Sequence, residues 1–262
     1  MPGRLVVCPT PIGNLEDVTL RTLSALRDAD VVACEDTRRT RVLLDRFGVK
    51  ARLVSYHEHN EEARARELVE RMRDGETVAL VSDAGMPLVS DPGFVLVRES
   101  VAAGLAVEVL PGPSAVLTAL VASGLPSARW RFEGFLPRKK GELRAVLSAP
   151  ETIVAFESPR RLGATLALID PAREVAVCRE LTKMHEEVVR GTAGELAKRY
   201  AEEAPKGEIV LVVGPLDVDD SPSETATAAM KELVAAGAKR RVAAQVVARL
   251  TGTSANALYD RD

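Results

Sequence analysis

The sequence predicts an α/β protein built from two α/β domains, with a small helical appendage at its C-terminus. From Arg4 to about Ala122, short runs rich in β-branched residues alternate with segments of helical periodicity. Four of the helical segments end in a glycine, which adopts the left-handed conformation at a helix C-terminus at little cost. The repeated order of strand, helix, glycine and strand is typical of a mainly parallel, doubly wound sheet.

The first predicted domain covers residues 1–122. Its strands are expected at residues 4–8, 30–35, 52–55, 77–82 and 106–110. Its helices are expected within residues 19–28, 37–47 and 60–74, and two more are expected to begin at Pro92 and near Ser114. The glycines that end helices are Gly48, Gly75, Gly104 and Gly124.

The second predicted domain covers residues 123–216, and the appendage covers residues 217–262. Strands are expected at residues 132–136, 152–157, 174–180 and 208–213, with a shorter one at 186–192, and helices near residues 140–148, 159–168 and 193–203. A polar linker, PLDVDDSPSET, then precedes short helices in ATAAMKELVAAG, KRRVAAQVVARLTG and SANALYD. These helices suggest a helix-turn-helix-like unit that contacts nucleic acid, packs against the rest of the chain or dimerises.

Composition excludes several classes of protein. Apolar runs end well short of the ~20 residues of a membrane span, and no secretory signal is recognisable, so we expect a cytoplasmic protein. Cys8, Cys34 and Cys178 have no metal-ligand spacing and are expected to be reduced core residues. The absence of a phosphate-binding glycine loop disfavours an ATPase or a nicotinamide enzyme, and no histidine pair has metal spacing on a helix.

Three loops at strand ends are candidates for a ligand site, because open α/β sheets bind ligands beyond the carboxyl ends of their strands. They are PTPIGN at 9–14, SDAGMPLVSDPG at 82–93 and PGPSA at 111–115. Asp91 before Pro92, and Ser158 before Pro159, fit a helix N-cap followed by proline at the first helical position. Ser114 fits the cap of the following helix, which leaves Asp83 as the carboxylate without a simple structural role.

A series of motifs then identifies a resemblance. In order, they are PTPIGNLEDVT, CEDTRRT, HEHNE, SDAGMPLVSDPG, LPGPSA, GLP, EGFLPRKKG, FESPRRL, CRELTK, GE with its apolar run, and NALY. Together they resemble the ribosomal RNA small subunit methyltransferase I family of the tetrapyrrole methylase superfamily, from residue 5 to about residue 259. That family methylates a cytidine 2′-hydroxyl in 16S RNA.

The resemblance implies two α/β domains with S-adenosylmethionine in the cleft between them, in a homodimer that acts on 16S rRNA or the small ribosomal subunit. The implied donor-binding residues are Pro9, Pro11, Ser82, Asp83, Ala84, Gly85, Met86, Pro111, Ser114, Ala115, Phe156, Glu157, Ser158, Leu181, Gly207, Glu208 and Ile209. At position 86 this chain has methionine where the family commonly has threonine. A side-chain hydroxyl contact to the donor is therefore not expected here, whereas backbone contacts remain.

A ribose hydroxyl is a poor nucleophile while it is protonated, so a general base is expected to help. The candidates are Glu35, Asp36, His57, His59 and Glu157, and spacing does not choose among them. Aromatic residues make up 3% of the chain, which argues against stacking of bases on an aromatic platform. Contacts to RNA are therefore expected through phosphates, from Arg38, Arg39, Arg41, Arg138, Lys139, Lys140, Arg160 and Arg161.

Two other functions fit parts of the sequence. The same fold could methylate a tetrapyrrole or another small molecule, although the arginine clusters and the basic tail favour RNA. A protein that only binds nucleic acid through its tail would not bind the methyl donor, so calorimetry with S-adenosylmethionine separates it from both enzymes.

Overall fold

A computed structural model describes residues 3–216, 224–251 and 255–259. The chain divides into two compact units, Met1–Gly214 and Pro215–Asp262. The strands are β1 Arg4–Val7, β2 Val31–Cys34, β3 Leu53–Ser55, β4 Thr77–Leu80, β5 Ala106–Val109, β6 Trp130–Phe135, β7 Thr152–Glu157, β8 Glu174–Arg179, β9 Glu187–Thr192 and β10 Ile209–Val213. The helices are α1 Leu20–Asp28, α2 Thr37–Arg46, α3 Glu61–Arg73, α4 Phe94–Ala102, α5 Ala115–Ser123, α6 Lys140–Leu147, α7 Leu162–Leu166, α8 Ala193–Glu202, α9 Glu224–Ala235, α10 Arg240–Thr251 and α11 Ala255–Tyr259.

The first sheet is parallel and doubly wound, as predicted. Its strand order is β3-β2-β4-β1-β5, and every pairing in it is parallel. Alternate residues of the central strands enter two separate cores, because successive side chains of a strand point to opposite faces. Leu5 and Val7 pack with α3 and α4, whereas Val6 packs with α1 and α2. Helices therefore cover both faces, which explains why β2 is buried along its whole length.

The second sheet is mixed, with the order β6-β7-β10-β8-β9. Only β6 and β7 are parallel, and the remaining pairs are antiparallel. One face packs against α6, α7 and α8 in a core that includes Leu143, Leu166 and Leu196. The other face packs against α5, through Val116, Ala119 and Leu120 among other residues. Since α5 directly follows the last strand of the first sheet, it connects the two sheets within one unit.

Local predictions were confirmed at the helix C-termini. Gly48, Gly75, Gly104 and Gly124 all have positive φ, at 62°, 101°, 69° and 71°. The segment expected at 186–192 is a full strand, β9. The division of residues 1–122 and 123–216 into separate domains stays a prediction, since both sheets belong to one compact unit.

Two predicted helix starts were wrong. Helix α4 begins at Phe94 rather than Pro92, and its N-cap is Gly93, with φ 141°. That φ lies outside the helical region, so the helix begins after Gly93, and a side chain there would lie 2.7 Å from Leu88 Cδ1. Helix α7 begins at Leu162, because residues after Ser158 first form a turn in which the Arg161 amide donates to the Ser158 carbonyl at 2.9 Å.

The second unit contains α9, α10 and α11 around a small core of Ala226, Met230, Ala243, Ala244, Val247 and Leu258. The guanidinium of Arg240 lies over the Tyr259 ring, 5.8 Å from its centroid. Most of the predicted linker, residues 217–223, lies outside the described residues. In the described part of the chain, no helix is long and apolar enough to cross a membrane.

Candidate functional site

A cavity of about 340 Å³ lies where the carboxyl ends of the first sheet's strands face the second sheet. Its walls are mostly apolar, with glycine backbone and a few polar side chains, as in typical small-molecule sites. The lining residues are Ile12, Ala84, Gly85, Met86, Val89, Ser90, Asp91, Ser114, Ala115, Val116, Phe135, Phe156, Glu157, Ser158, Pro159, Cys178, Leu181, Gly207, Glu208, Ile209 and Val210.

Most of the residues predicted to bind the donor meet at this cavity. Twelve of them are among its lining residues: Ala84, Gly85, Met86, Ser114, Ala115, Phe156, Glu157, Ser158, Leu181, Gly207, Glu208 and Ile209. The others are Pro9, Pro11, Ser82, Asp83 and Pro111, none of which is among the lining residues. Of these, Pro9, Pro11 and Ser82 are buried behind the wall, and Pro111 is exposed.

The first wall is held by hydrogen bonds between the loops after β1 and β4. The amides of Thr10 and Gly85 each donate to the other residue's carbonyl, both at 2.9 Å. The Thr10 hydroxyl also donates to the Ser82 carbonyl at 3.0 Å. Ser114 caps α5 as predicted, since its hydroxyl accepts the Leu117 amide. Ser82 therefore supports the wall from behind, while the backbone of Gly85 faces the ligand space.

The opposite wall comes from the second sheet and is fixed by charged groups. Glu180 Oε1 accepts the Glu208 amide at 2.8 Å and the Lys183 ammonium at 2.9 Å. Lys183 also contacts Glu208 Oε2 at 2.9 Å. These hydrogen bonds, with Lys183 first, lower the pKa of Glu180. The network holds Gly207, whose φ is 94°, against the cavity.

Glu157, a predicted catalytic residue, stabilises the turn after β7 through its carboxylate. Its Oε1 accepts the Ser158 amide at 2.6 Å, and its Oε2 accepts the Thr165 hydroxyl at 2.5 Å. Arg161 lies 3.4 Å from the same carboxylate and donates to the Leu136 carbonyl at 3.1 Å. Both carboxylate oxygens are thus engaged in shaping the turn after β7. Arg161, predicted to bind RNA, instead ties this turn to the end of β6.

Asp36 and Asp83 join the loop after β4 to helix α2. Asp36 caps α2, and its carboxylate contacts the Arg38 guanidinium at 2.8 Å. Hydrogen bonds from Arg38 lower the pKa of Asp36 to about 2, which makes this carboxylate a poor proton acceptor. Asp83 Oδ1 accepts the Asp36 amide at 3.0 Å, and its Oδ2 lies 3.4 Å from Arg39. Asp83 is therefore a bridge between two loops.

Asp91 is the carboxylate that sequence reasoning misplaced. It is not a helix cap but a half-buried residue on the cavity wall. Burial, and then the nearby charge of Glu35, raise the pKa of Asp91 to about 6, despite a hydrogen bond with Ser82. Its segment contains two non-glycine residues with positive φ, Leu88 at 73° and Ser90 at 64°. Such strain costs about 1–3 kcal/mol per residue and is common at functional sites.

The remaining base candidates lie elsewhere in the first sheet. Burial and the charge of Asp83 raise the pKa of Glu35, which follows β2. His57 and His59 follow the edge strand β3, with ring centroids 5.9 Å apart. None of these three residues is among the lining residues of the cavity. The structure therefore brings one unpredicted carboxylate, Asp91, to the cavity in their place.

The predicted RNA-binding residues form three groups near the ends of the strands. Arg38, Arg39 and Arg41 are exposed on α2, although Arg38 and Arg39 contact Asp36 and Asp83. Arg138, Lys139 and Lys140 are exposed before and at the start of α6, where Lys139 pairs with Glu142 at 3.0 Å. Arg160 is exposed beside the cavity residue Pro159. Their contact with RNA stays a prediction.

Several lining residues were missed from the sequence. Ile12, Val89, Val116, Cys178 and Val210 resemble ordinary core residues, so composition carries no signal for them. Cys178 is buried and free like Cys8 and Cys34, as predicted, and burial raises its pKa to about 11. For Phe135 a signal existed, since it is an apolar residue in a polar segment, FEGFLPRKK.

Comparisons with known proteins identify the family of this chain. Residues 4–197 match the family model of the tetrapyrrole (corrin/porphyrin) methylases. The ribosomal RNA small subunit methyltransferase I of Mesorhizobium japonicum is 48% identical over 267 residues, covering 98% of this chain and 90% of the relative. The protein of the same name from Escherichia coli O157:H7 is 42% identical over 267 residues, covering 98% and 93%.

Solved structures share the fold. A uroporphyrin-III-C-methyltransferase from Thermus thermophilus has a TM-score of 0.58 at 25% identity, covering 81% of this chain and 94% of that structure. A diphthine synthase has a TM-score of 0.63 at 21% identity, covering 81% and 90%. The arrangement of two linked sheets is therefore one that other solved proteins adopt.

Proposed function

Because this chain belongs to the tetrapyrrole (corrin/porphyrin) methylase family, and within it to the ribosomal RNA small subunit methyltransferase I family, we propose that it methylates small subunit ribosomal RNA with S-adenosylmethionine as donor. The acceptor is a cytidine 2′-hydroxyl of 16S RNA, free or in the small subunit, and the reaction takes place in the cytoplasm. The observation that carries the proposal is the cavity itself, where the loops of both sheets converge.

The lining of the cavity fits the donor. Apolar side chains such as Val116, Leu181 and Val210 suit the adenine ring and the methylene chain of S-adenosylmethionine. Gly85 and Gly207 place bare backbone on opposite walls, where a flat ring can approach closely. Met86 also borders the cavity and packs against the first core, so its side chain contributes an apolar surface.

The chain's part in the chemistry is to position the reactants and to accept a proton. When bound, S-adenosylmethionine supplies a methyl group that leaves its sulfur as the acceptor oxygen attacks. We assign the proton of that hydroxyl to the Asp91 carboxylate, which borders the cavity and whose pKa of about 6 leaves it ionised at neutral pH. A base with such a pKa can also release the proton to water afterwards.

A direct test is to map 2′-O-methylation on 16S RNA from cells with and without this protein. We expect one methyl group to disappear on deletion and to return when the wild-type gene is restored. Unchanged 16S RNA would refute the RNA acceptor. Transfer of a radioactive methyl group to a tetrapyrrole, with none to RNA, would instead support the small-molecule alternative.

The donor site can be tested with Gly207→Ala. A side chain there would meet the Glu180 carboxylate at 2.5 Å, and the φ of 94° is unfavourable for alanine. The wall must shift to relieve this collision, so we expect the dissociation constant for S-adenosylmethionine, measured by calorimetry, to rise about 10-fold. Gly48→Ala is the matched control, because Gly48 has a φ of 62° and open space around it. Equal donor affinity in both variants would contradict the assignment of this wall.

The homodimer expected from the resemblance is supported by exposed apolar residues on consecutive elements of the first unit. β5 is an edge strand, and Val109 on it is exposed. Leu117 and Val121 are exposed one helical turn apart on α5, on the side away from the second sheet. An exposed apolar edge favours association with a second copy, which can present the same surface in return.

We therefore expect Val121→Asp to shift the protein from dimer to monomer. Val121 is 82% exposed, so the free chain should tolerate the charge, whereas an apolar interface would not. Light scattering coupled to size-exclusion chromatography measures the mass. Val42→Asp, at an exposed valine of α2, is the control and should leave the dimer intact. A dimer that survives Val121→Asp would place the interface elsewhere.

A further inference from the structure

Strand β6 contains an irregularity that redirects a phenylalanine. The register of β6 against β7 shifts between Phe132 and Phe135, and Gly134 has a φ of 61°. In a regular strand, residues three apart point to opposite faces. Here both rings contact the ring of Phe156, with centroids 5.2 Å and 5.3 Å away. The bulge thus turns Phe135 to the face of the sheet that borders the cavity.

Phe135 borders the cavity and yet is 70% exposed. The chain has only five phenylalanines, and three of them, Phe132, Phe135 and Phe156, form this cluster. The low aromatic content argued against base stacking, but the content says nothing about where the rings lie. An exposed ring at a cavity, supported from below by two others, is a suitable stacking surface.

The bulge also lies against residues 88–91, the segment that contains the proposed general base, Asp91. A side chain at Gly134 would come within 3.3 Å of Ser90 Oγ, so β6 and residues 88–91 are in close contact. Phe135 and Asp91 therefore border one cavity from adjacent segments. A nucleobase stacked on the Phe135 ring would place its own ribose within the same cavity as the Asp91 carboxylate.

We propose that Phe135 stacks on the base of the acceptor nucleotide and thereby holds its ribose at the methyl-transfer site. This rests on the proposed function. The acceptor must then be unpaired or turned out of its helix, because a base within a duplex has no free face for the ring. Enzymes that act on extruded nucleotides commonly read them by stacking in this way.

The test compares Phe135→Ala, Phe135→Leu and Phe135→Tyr in methyl transfer to small ribosomal subunits. We expect alanine to lower kcat/KM for the subunit about 10- to 100-fold, as stacking energies indicate. Tyrosine, which keeps the ring, should stay within about threefold of the wild type. Leucine keeps apolar bulk without a π face and should remain defective. Phe94→Ala, at a phenylalanine that is 63% exposed on α4, is the control and should have no effect.

Calorimetry with S-adenosylmethionine shows whether the ring serves the acceptor or the donor. We expect Phe135→Ala to bind the donor as the wild type does. Weakened donor binding with an unchanged KM for the subunit would assign the ring to the adenine of the donor and overturn the proposal. Full activity of the alanine or leucine variant would overturn it as well. If the wild-type protein methylates no RNA, the proposed function fails first, which is a distinguishable result.

Discussion

We expect Asp91→Asn to lower kcat for RNA methylation by about 10²- to 10⁴-fold, the usual contribution of a general base. The amide has nearly the same shape but cannot accept the proton of the acceptor hydroxyl. Donor binding should change little, since most of the cavity wall is apolar side chain and glycine backbone. Single-turnover methyl transfer, with donor affinity measured separately, distinguishes a lost base from a lost binding site.

The pH dependence follows from the raised pKa of Asp91. Its carboxyl must be ionised to act, so the wild-type rate should rise with pH and be half-maximal near the pKa of about 6. Asp91→Asn should lose this acidic limb. Asp36→Asn is the matched control: asparagine also caps helices well, and Asp36, whose pKa is about 2, ionises far below this range. If the rate of Asp91→Asn still rises with pH around 6 as the wild-type rate does, another group accepts the proton.

The same substitution should stabilise the fold. The pKa of Asp91 is higher in the native state than its ordinary value of 3.8, so the native state holds the proton more tightly than the unfolded chain does. That advantage is complete below the ordinary pKa and is lost as pH rises through about 6. After allowing for solvent screening, we expect Asp91→Asn to gain about 1 kcal/mol in unfolding free energy near pH 7.5. Chemical denaturation at pH 7.5 and near pH 3 measures the difference, which should vanish at the lower pH, below the ordinary pKa.

The largest expected effect on stability is that of Arg173→Met. Arg173 is 6% exposed, and its guanidinium donates to backbone carbonyls around the second sheet. The acceptors are Gly214 at 2.6 Å, Leu147 at 2.5 Å, Ala149 at 2.8 Å and Glu151 at 3.2 Å. Methionine fills similar space but leaves these carbonyls without a donor. We expect the free energy of unfolding to fall by about 3–5 kcal/mol, since each unsatisfied buried acceptor costs about 1–3 kcal/mol.

Urea denaturation of both proteins measures this change. Arg199→Met is the control, because Arg199 is half exposed and contacts Glu187 at 3.1 Å in a surface ion pair. Such pairs contribute at most about 1 kcal/mol. A loss in Arg173→Met no larger than that of the control would mean that water replaces the guanidinium at the carbonyls.

Features set by neighbouring residues were predictable from the sequence, and features set by distant contacts were not. The buried strand at Val31–Cys34 and the left-handed glycine at Gly124 depend on local pattern. The N-cap of α4 is instead Gly93, which has a φ of 141° and lies close to Leu88 and Leu80, contacts that local pattern does not show. An aspartate before a proline fits a cap or a loop equally well, so Asp91 was assigned the wrong role. Arg173 shows no pattern at all, because its partners are up to 41 residues away.

The site was predictable to a similar extent. Motif resemblance predicted the loops that converge on the cavity, since strand order makes their ends neighbours. It did not separate the side chains that face the cavity from those that support it. Glu157 and Asp36 carry the right chemical group, but hydrogen bonds to Thr165 and Arg38 engage them. The sequence marked Phe135 only as an apolar residue before a basic run, and the bulge in β6 is what brings its ring to the cavity.

The position of β10 has a consequence for how the protein is made. It is the last strand of the first unit, yet it lies at the centre of the second sheet, between β7 and β8. During synthesis, β6 to β9 emerge before β10. Until residues 209–213 are made, the edges of β7 and β8 that pair with β10 stay unpaired. Long-range pairing of this kind folds slowly and exposes strand edges to aggregation. A messenger truncated before codon 209 would thus yield an aggregation-prone product, whereas one ending after codon 214 would still encode all the strands that the structure describes.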